Sequence, residues 1–243
     1  FNDSVLTSSI ETITNLDLNN KNISDLTGVE SMINLQDIYA NDNLLSSVNL
    51  SGLPSLSYVT IQRSNMSSID LSGSNNIRTL YLQSNNLTQI TLPDFAYVNS
   101  YWCSSWGECG MNLRLEDNLL TTINIPSTLR IYDLDLDNNP LINVDLSSLN
   151  DLRNLDVRYT HLSTLDLSSN NKLRYLNVRD NDSLIGLDVR NKVQLYSIYA
   201  DQNDLLTNLD LRNINLVNIS SHNFTNNPQL NCISVSDTLV SNI

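Results

Sequence analysis

The 243-residue sequence is poor in glycine and in positive charge. Six glycines leave little room for loops that cradle phosphate groups, and the common nucleophile-elbow, zinc-protease and dinucleotide-binding motifs are missing. Thirteen lysines and arginines stand against 26 acidic residues, which gives a formal net charge of −13. A surface of this sign repels nucleic-acid phosphates. The sequence therefore argues against these enzyme classes and against a nucleic-acid partner.

Long apolar runs are also missing, so no segment of the sequence is expected to insert into a membrane. Hydrophobic residues make up 40% of the chain, which is enough to build a core, and disorder is not expected. The sequence starts at Phe1 without an initiator methionine or a signal sequence. We expect a processed piece of a secreted or cell-surface protein.

One short pattern recurs through most of the chain, in steps of 21–22 residues with one longer step. It reads L-x-x-L-x-L-x-x-N-x-L, and apolar residues alternate in it with polar ones, as in Leu134-Asp135-Leu136. Alternation of this kind predicts a short strand with one buried face in every coil. The sequence thus predicts about ten stacked coils, none of which is stable alone. We place their starts at Ile13, Leu35, Leu56, Ile77, Gly110, Ile131, Leu152, Leu173, Leu195 and Leu216.

Two further positions recur in the coils. Eight residues after most starts is an asparagine whose amide can pair backbone groups left open where the chain turns inward. A second apolar-polar-apolar triplet follows, so we expect extended chain and little helix on the outer side, with its aspartates in turn and backbone hydrogen bonds. The asparagines are Asn43, Asn85, Asn118, Asn139, Asn181 and Asn203, with Lys21, Ser64, Thr160 and Phe224 in the other coils; the aspartates are Asp145, Asp166, Asp188 and Asp210.

These motifs resemble the leucine-rich-repeat family, in particular the bacterial subclass whose second half reads L-x-x-L-D-L. The resemblance covers residues 13–235; residues 23–35 are similar to the first repeat of secreted bacterial members, and residues 227–237 to the terminal coil common in Bacteroidetes and flavobacteria. It implies an α/β horseshoe of the leucine-rich-repeat type, here a β-dominated right-handed solenoid with a parallel concave sheet. We predict a single domain over 1–243, with an N-terminal region at 1–34 and a capping coil at 216–243.

Residues between the buried leucines should form columns across the concave sheet, with one residue per coil. In these columns Tyr39, Tyr58 and Tyr81 form one patch, and Tyr175 and Tyr199 form another. Tyrosine offers a broad apolar face and a hydrogen-bonding tip, which suits protein epitopes and sugar rings alike. The alternative interpretation is that tyrosine covers the sheet because it has a high β propensity.

An acidic centre with two arginines should lie between the tyrosine patches. Arg114 beside Asp135 and Arg158 beside Asp137 predict salt bridges, whereas converging carboxylates could hold Ca²⁺, with Glu116, Asp135 and Asp137 as weak candidates. A third interpretation is catalytic, because Asp135 and Asp156 on adjacent strands resemble the carboxylate pair of retaining glycosidases. The members of this centre are Arg114, Glu116, Asp117, Asp133, Asp135, Asp137, Asp156 and Arg158.

The step from Ile77 to Gly110 is longer than the others because of an insertion at 93–110. The insertion contains both tryptophans of the chain, Trp102 and Trp106, and we predict a disulfide between Cys103 and Cys109. A loop inserted into a rigid scaffold is suited to binding, but it could equally pack as a flap over an irregular joint. The third cysteine, Cys232, falls where a small buried residue fits.

We therefore predict a non-catalytic extracellular module that recognises a protein through the concave sheet and the insertion. The first alternative is polysaccharide binding by stacking on Trp102, Trp106 and the tyrosines. The second is a structural spacer or adhesin segment. No cofactor is expected, and calcium is the one ion that the carboxylates leave open. The two histidines, His161 and His222, are interpreted as surface residues, the latter on the last concave column.

Overall fold

The computed structural model describes residues 10–94 and 110–236. The chain divides into two compact units, Phe1–Leu129 and Arg130–Ile243, which we call the N-terminal unit and the C-terminal unit. Parallel strands dominate both, and the described residues include two short 3-10 helices, Val29–Ser31 and Leu216–Asn218. No helix in the described part of the chain is both long and apolar enough to cross a membrane.

The N-terminal unit is built from coils that each add one strand to a parallel sheet. This N-terminal sheet consists of β1 (Asn15–Asp17), β2 (Asp37–Tyr39), β4 (Tyr58–Thr60), β6 (Thr79–Tyr81) and β7 (Met111–Arg114), in that order. On the outer side of the coils, β3 (Ser47–Asn49) pairs with β5 (Ser68–Asp70). Extended outer chain was the expectation, and these strands confirm it.

The C-terminal unit repeats the arrangement. Its C-terminal sheet consists of β8 (Ile131–Asp135), β9 (Asn154–Asp156), β10 (Tyr175–Asn177), β12 (Ser197–Tyr199) and β14 (Ser221–Asn223), in that order. The outer sheet consists of β11 (Gly186–Asp188), β13 (Asn208–Asp210) and β15 (Cys232–Ser234). Both units therefore have the predicted parallel-strand solenoid architecture.

The core follows from the alternation along each strand. Leu155 at the centre of β9 stands in register with Leu134 of β8 and with Leu176 of β10, and all three are fully buried. Their polar neighbours face away from the core, as a period of two requires. Each coil thus buries its leucines against adjacent coils, and this stacking is the main source of stability in such an array.

The six predicted asparagines, which follow most of the inner strands, are buried and form hydrogen bonds as predicted. Asn85 is typical, since its Nδ2 donates to the carbonyl oxygens of Ile61 (2.7 Å) and Leu82 (3.0 Å), while its Oδ1 accepts the backbone N–H of Ser64 (3.2 Å) and Met66 (3.3 Å). One amide side chain therefore satisfies the turn of its own coil and ties it to the preceding coil. The side-chain amides of Asn43, Asn118, Asn139, Asn181 and Asn203 also donate to backbone carbonyls.

The outer aspartates also confirm their prediction. Asp145 and Asp166 each accept the backbone N–H of a serine two residues later, at 2.9 and 2.8 Å, and Asp188 and Asp210 accept that of an arginine at 2.9 and 3.1 Å. The Ser147 hydroxyl and N–H hold the pKa of the Asp145 carboxyl below its usual value, because both stabilise the charged form. These carboxylates shape turns of the solenoid.

The predicted register of the last coil was wrong by three residues. Strand β14 pairs Ser221 with Ser197, so the coil begins at Ile219 and not at Leu216, and the 3-10 helix Leu216–Asn218 takes up the extra residues. Asn227 therefore holds the place that was assigned to Phe224, and its Oδ1 accepts the backbone N–H of Asn203 at 2.8 Å. The start was placed at Leu216 because an apolar residue, Ile219, follows it at the spacing that the repeat requires.

The predicted positions of two residues in this coil, His222 and Cys232, are wrong for the same reason. His222 stands opposite Ile198, a core-facing position, and is not on the column to which it was assigned; it is nevertheless exposed, as expected for a surface histidine. Cys232 is exposed and reduced, whereas a buried place was predicted. In β15 the residue opposite the buried Leu209 is Ile233, so alternation turns the preceding cysteine to solvent.

Candidate tyrosine-bearing face

In the N-terminal sheet the three predicted tyrosines form one continuous aromatic surface. Tyr39 and Tyr58 have ring centroids 5.3 Å apart, and Tyr58 and Tyr81 have centroids 5.9 Å apart with planes inclined at 71°. These are favourable offset and edge-on arrangements. Each ring is half-buried and still faces solvent on one side. We call Tyr39, Tyr58 and Tyr81 the N-terminal tyrosine cluster.

Polar side chains surround the N-terminal tyrosine cluster. The Asn112 amide donates to the Tyr81 hydroxyl at 3.2 Å, and the Thr60 hydroxyl donates to Asn41 Oδ1 at 2.8 Å. Burial, followed by the neighbouring Tyr81 and Tyr39, raises the pKa of the Tyr58 hydroxyl. The cluster thus presents neutral rings with hydroxyl groups, bordered by amide side chains.

The C-terminal sheet carries the second predicted tyrosine pair. Tyr175 and Tyr199 have ring centroids 6.0 Å apart, and the Tyr199 hydroxyl is hydrogen-bonded to the Ser221 hydroxyl. The Tyr175 hydroxyl donates to Asp156 Oδ2 at 3.4 Å, and the Asn177 amide donates to the same oxygen at 3.1 Å. The pair is therefore tied into the acidic part of its sheet.

Arginines neutralise part of this acidic surface, and of the two predicted pairs the one between Arg158 and Asp137 is confirmed. Arg158 reaches Asp137 Oδ2 at 2.9 Å and Asp156 Oδ1 at 3.6 Å. Burial raises the pKa of Asp156, although the Arg158 N–H and the Arg158 charge oppose that shift. A second group was not among the predicted site residues: Arg179 lies 2.9 Å from Asp180 and 3.3 Å from Asp201.

The calcium and catalytic interpretations start from the same carboxylates. Asp135 stands opposite Asp156 in register, as the sequence predicts, but Asp156 already contacts Arg158 and Asn177. Within residues 10–94 and 110–236, no three or more histidines, cysteines or acidic residues form a group that could hold a metal ion. Burial raises the pKa of Glu116, and a hydrogen bond from Gln83 opposes this shift. The ion pairs of Asp137 and Asp156 favour the salt-bridge interpretation.

The other predicted site residues lie either in the N-terminal unit or outside the described residues. Arg114 belongs to the N-terminal unit, where it stands opposite Tyr81. Trp102, Trp106, Cys103 and Cys109 lie outside the described residues, so the binding role of the insertion and the disulfide stay predictions.

One buried charge was missed by the sequence interpretation. Lys192 is only 3% exposed and lies four residues after an outer aspartate, a place filled in other coils by residues such as Leu53, Leu149 and Ile214. Buried Ser74 and Asn170 hold the same place in two further coils, so the available signal was a charged residue where these coils carry uncharged ones.

The pKa of the Tyr175 hydroxyl provides a direct test of how Tyr175 packs against Asp156. Burial, followed by the nearby Asp156 carboxylate, raises its pKa from 10.0 to about 12. Because the raised pKa favours the neutral form in the folded protein, its contribution to stability is complete below pH 10 and is lost as the pH rises towards 12. We expect ultraviolet titration of wild type and Tyr175→Phe to assign this late phenolate to Tyr175. An ordinary pKa near 10 for Tyr175 would contradict the packing described.

Comparison with known proteins adds the class of fold. No family model matches the chain, and no curated protein matches it. Among solved structures, the functional domain of InlJ from Listeria monocytogenes aligns with 95% of this chain and 55% of its own, at 21% identity and a TM-score of 0.62. The LRIM1 leucine-rich repeat domain aligns with 94% of this chain and 68% of its own, at 16% identity and a TM-score of 0.59. The LRIM1/APL1C complex aligns with 94% of this chain and 45% of its own, at 14% identity and a TM-score of 0.54.

These likenesses and the repeated coils define a leucine-rich-repeat fold. The chain spans little more than half the length of the InlJ chain that it matches. At such low identity the likeness concerns the fold, and the function has to be argued from the surface of this chain.

Proposed function

We propose that this protein is a secreted or cell-surface, non-catalytic module that recognises another protein through the tyrosine-bearing faces of its sheets. The observation that carries the proposal is the N-terminal tyrosine cluster, because three rings in contact provide a broad, rigid surface at low cost in conformational entropy. Tyrosine is also enriched among the residues that dominate protein interfaces. The pair Tyr175 and Tyr199, bordered by Arg158 and Asp156, provides a more polar surface of the same kind.

The comparisons support a binding role. One of the matched structures is a complex of two proteins, LRIM1 and APL1C, and leucine-rich-repeat proteins commonly act in such interactions. Strand-mounted side chains keep their spacing, because each strand is fixed by its parallel neighbours. A rigid array of this type suits recognition of an extended protein surface.

Peptide selection tests the proposal. We expect peptides enriched from a displayed random library on the wild-type protein to bind the double variant Tyr39→Ser/Tyr81→Ser at least about tenfold more weakly, since losing interface tyrosines removes about 2 kcal/mol or more. The matched control is Tyr196→Ser, because that tyrosine is 44% exposed and does not belong to the cluster. Binding that both variants retain in full would contradict the proposal.

The polysaccharide alternative assigns stacking to Trp102, Trp106 and the tyrosines, and it depends mainly on the insertion. It predicts saturable binding of an extracellular polysaccharide that is lost in Trp102→Ala/Trp106→Ala and largely kept in Tyr39→Ser/Tyr81→Ser. The same pair of variants therefore separates the two functions.

A further inference from the structure

A small polar pocket opens on the outer side of the C-terminal unit, away from the tyrosine-bearing sheet. Its volume is about 210 Å³, which is far more than a single water molecule needs. Two neighbouring coils form it, one with Asp166, Ser168 and Asn171 and the next with Asp188, Arg190 and Lys192.

Lys192 is the unusual member of this lining. It is 97% shielded from solvent, and its Nζ donates to Asn171 Oδ1 at 3.0 Å. An ammonium group has three N–H donors, and burying donors without acceptors is costly. Burial lowers the pKa of Lys192, while Asp188 and Asp166 oppose that shift. The equivalent positions in other coils carry buried uncharged residues, Leu53, Ser74, Leu149, Asn170 and Ile214, so a buried charge here is costly by comparison.

The two carboxylates of the pocket are engaged with other groups. Asp188 lies 2.6 Å from the Arg190 guanidinium, which also lies 3.3 Å from Asp210. Asp166 Oδ1 accepts the Ser168 N–H at 2.8 Å. Among the described residues, no carboxylate forms an ion pair with Lys192 within 4.0 Å. Lys192 lines the pocket, and its hydrogen bond to Asn171 uses one of the three N–H donors of the ammonium.

We propose that this pocket binds a neutral, hydroxyl-rich small molecule, a single sugar residue or a cyclic polyol, whose hydroxyl oxygen accepts from Lys192 Nζ. The lining carries two negative and two positive side chains, Asp166, Asp188, Arg190 and Lys192, so its formal charges cancel. A hydroxyl group both accepts and donates a hydrogen bond. It can therefore accept from the Lys192 ammonium and donate to the Asp166 carboxylate on the neighbouring coil.

Anions fit this site less well. Two carboxylates line the pocket and the chain carries a formal charge of −13. The negative charge of the protein would therefore repel an approaching phosphate or carboxylate. Unlike the polysaccharide alternative above, the site requires no stacking tryptophan. It goes beyond the proposed protein recognition, because it lies on the outer segments and involves none of the interface tyrosines.

The test uses the variant Lys192→Met in the whole chain. Methionine keeps a long apolar stem for the buried position and removes only the ammonium, so we expect a folded variant with thermal stability at least equal to that of wild type. The control is Lys172→Met, because Lys172 is about half exposed and pairs with Asp151 outside the pocket.

Binding is followed by amide NMR during titration with glucose, galactose, mannose and myo-inositol. We expect at least one of them to shift the amides of Ser168, Asn171 and Asn191 with a millimolar dissociation constant, as is usual for so small a ligand. Lys192→Met should weaken that binding about tenfold or more, whereas Lys172→Met should leave it unchanged.

Two results would overturn the proposal. One is a folded wild-type protein whose pocket amides respond to none of the four probes. The other is a saturable, Lys192-dependent response to acetate that exceeds the response to every sugar, since the site would then be an anion site. Neither result bears on the tyrosine variants, so the two proposals fail independently.

Discussion

Replacing Asn181 with alanine is expected to lower the free energy of unfolding by about 3 to 5 kcal/mol, because several buried polar groups lose partners at once. Asn181 is 1% exposed, and its Nδ2 donates to the carbonyl oxygens of Val157 at 2.8 Å and Val178 at 3.0 Å. Its Oδ1 accepts the Thr160 N–H at 3.2 Å and also the Thr160 hydroxyl. Urea unfolding followed by circular dichroism measures the change.

Asn150→Ala serves as the matched control for this substitution. Asn150 lies in the same unit and is exposed, with one weak contact from its amide to the Ser148 carbonyl oxygen at 3.3 Å. Its substitution should change the unfolding free energy by no more than about 0.5 kcal/mol. Equal effects of Asn181→Ala and Asn150→Ala would show that the buried asparagines do not hold successive coils together.

Periodicity made most of this fold readable from the sequence. Leucines at fixed spacing place one buried face in each coil, and the asparagine at a fixed distance marks the inward turn, as Asn85 and Asn181 confirm. The tyrosine cluster was predictable for the same reason, since the strand register fixes which side chains become neighbours. A single register error, at Leu216, then displaced every assignment in the last coil, including His222 and Phe224.

Other features depend on three-dimensional geometry that spacing does not encode. The contact of Arg179 with Asp201 depends on which way a long side chain turns across the sheet. The burial of Lys192 depends on how deeply the outer turn packs, although its place in a series of otherwise uncharged residues was visible in the sequence. Ligand identity is a further step removed, because the same scaffold carries different surfaces.

Leu155→Ala is the second substitution for which a large loss is expected, about 3 to 5 kcal/mol of unfolding free energy. Leu155 is fully buried at the centre of β9, opposite Leu134 on one side and Leu176 on the other. In a solenoid each coil packs only against its neighbours, and both are fixed by backbone hydrogen bonds, so the cavity left by the side chain cannot easily collapse.

Two companion variants decide whether that cavity is the cause. Leu155→Met conserves side-chain volume and should cost less than about 1.5 kcal/mol, and Leu205→Ala, at a site that is 51% exposed, should cost little more than about 0.5 kcal/mol. If Leu155→Ala cost no more than Leu205→Ala in the same urea experiment, the buried leucine stack would not be the main source of stability in the C-terminal unit. A graded series, with alanine at position 155 far less stable than methionine, would show that packing between successive coils stabilises the unit that carries Tyr175 and Tyr199.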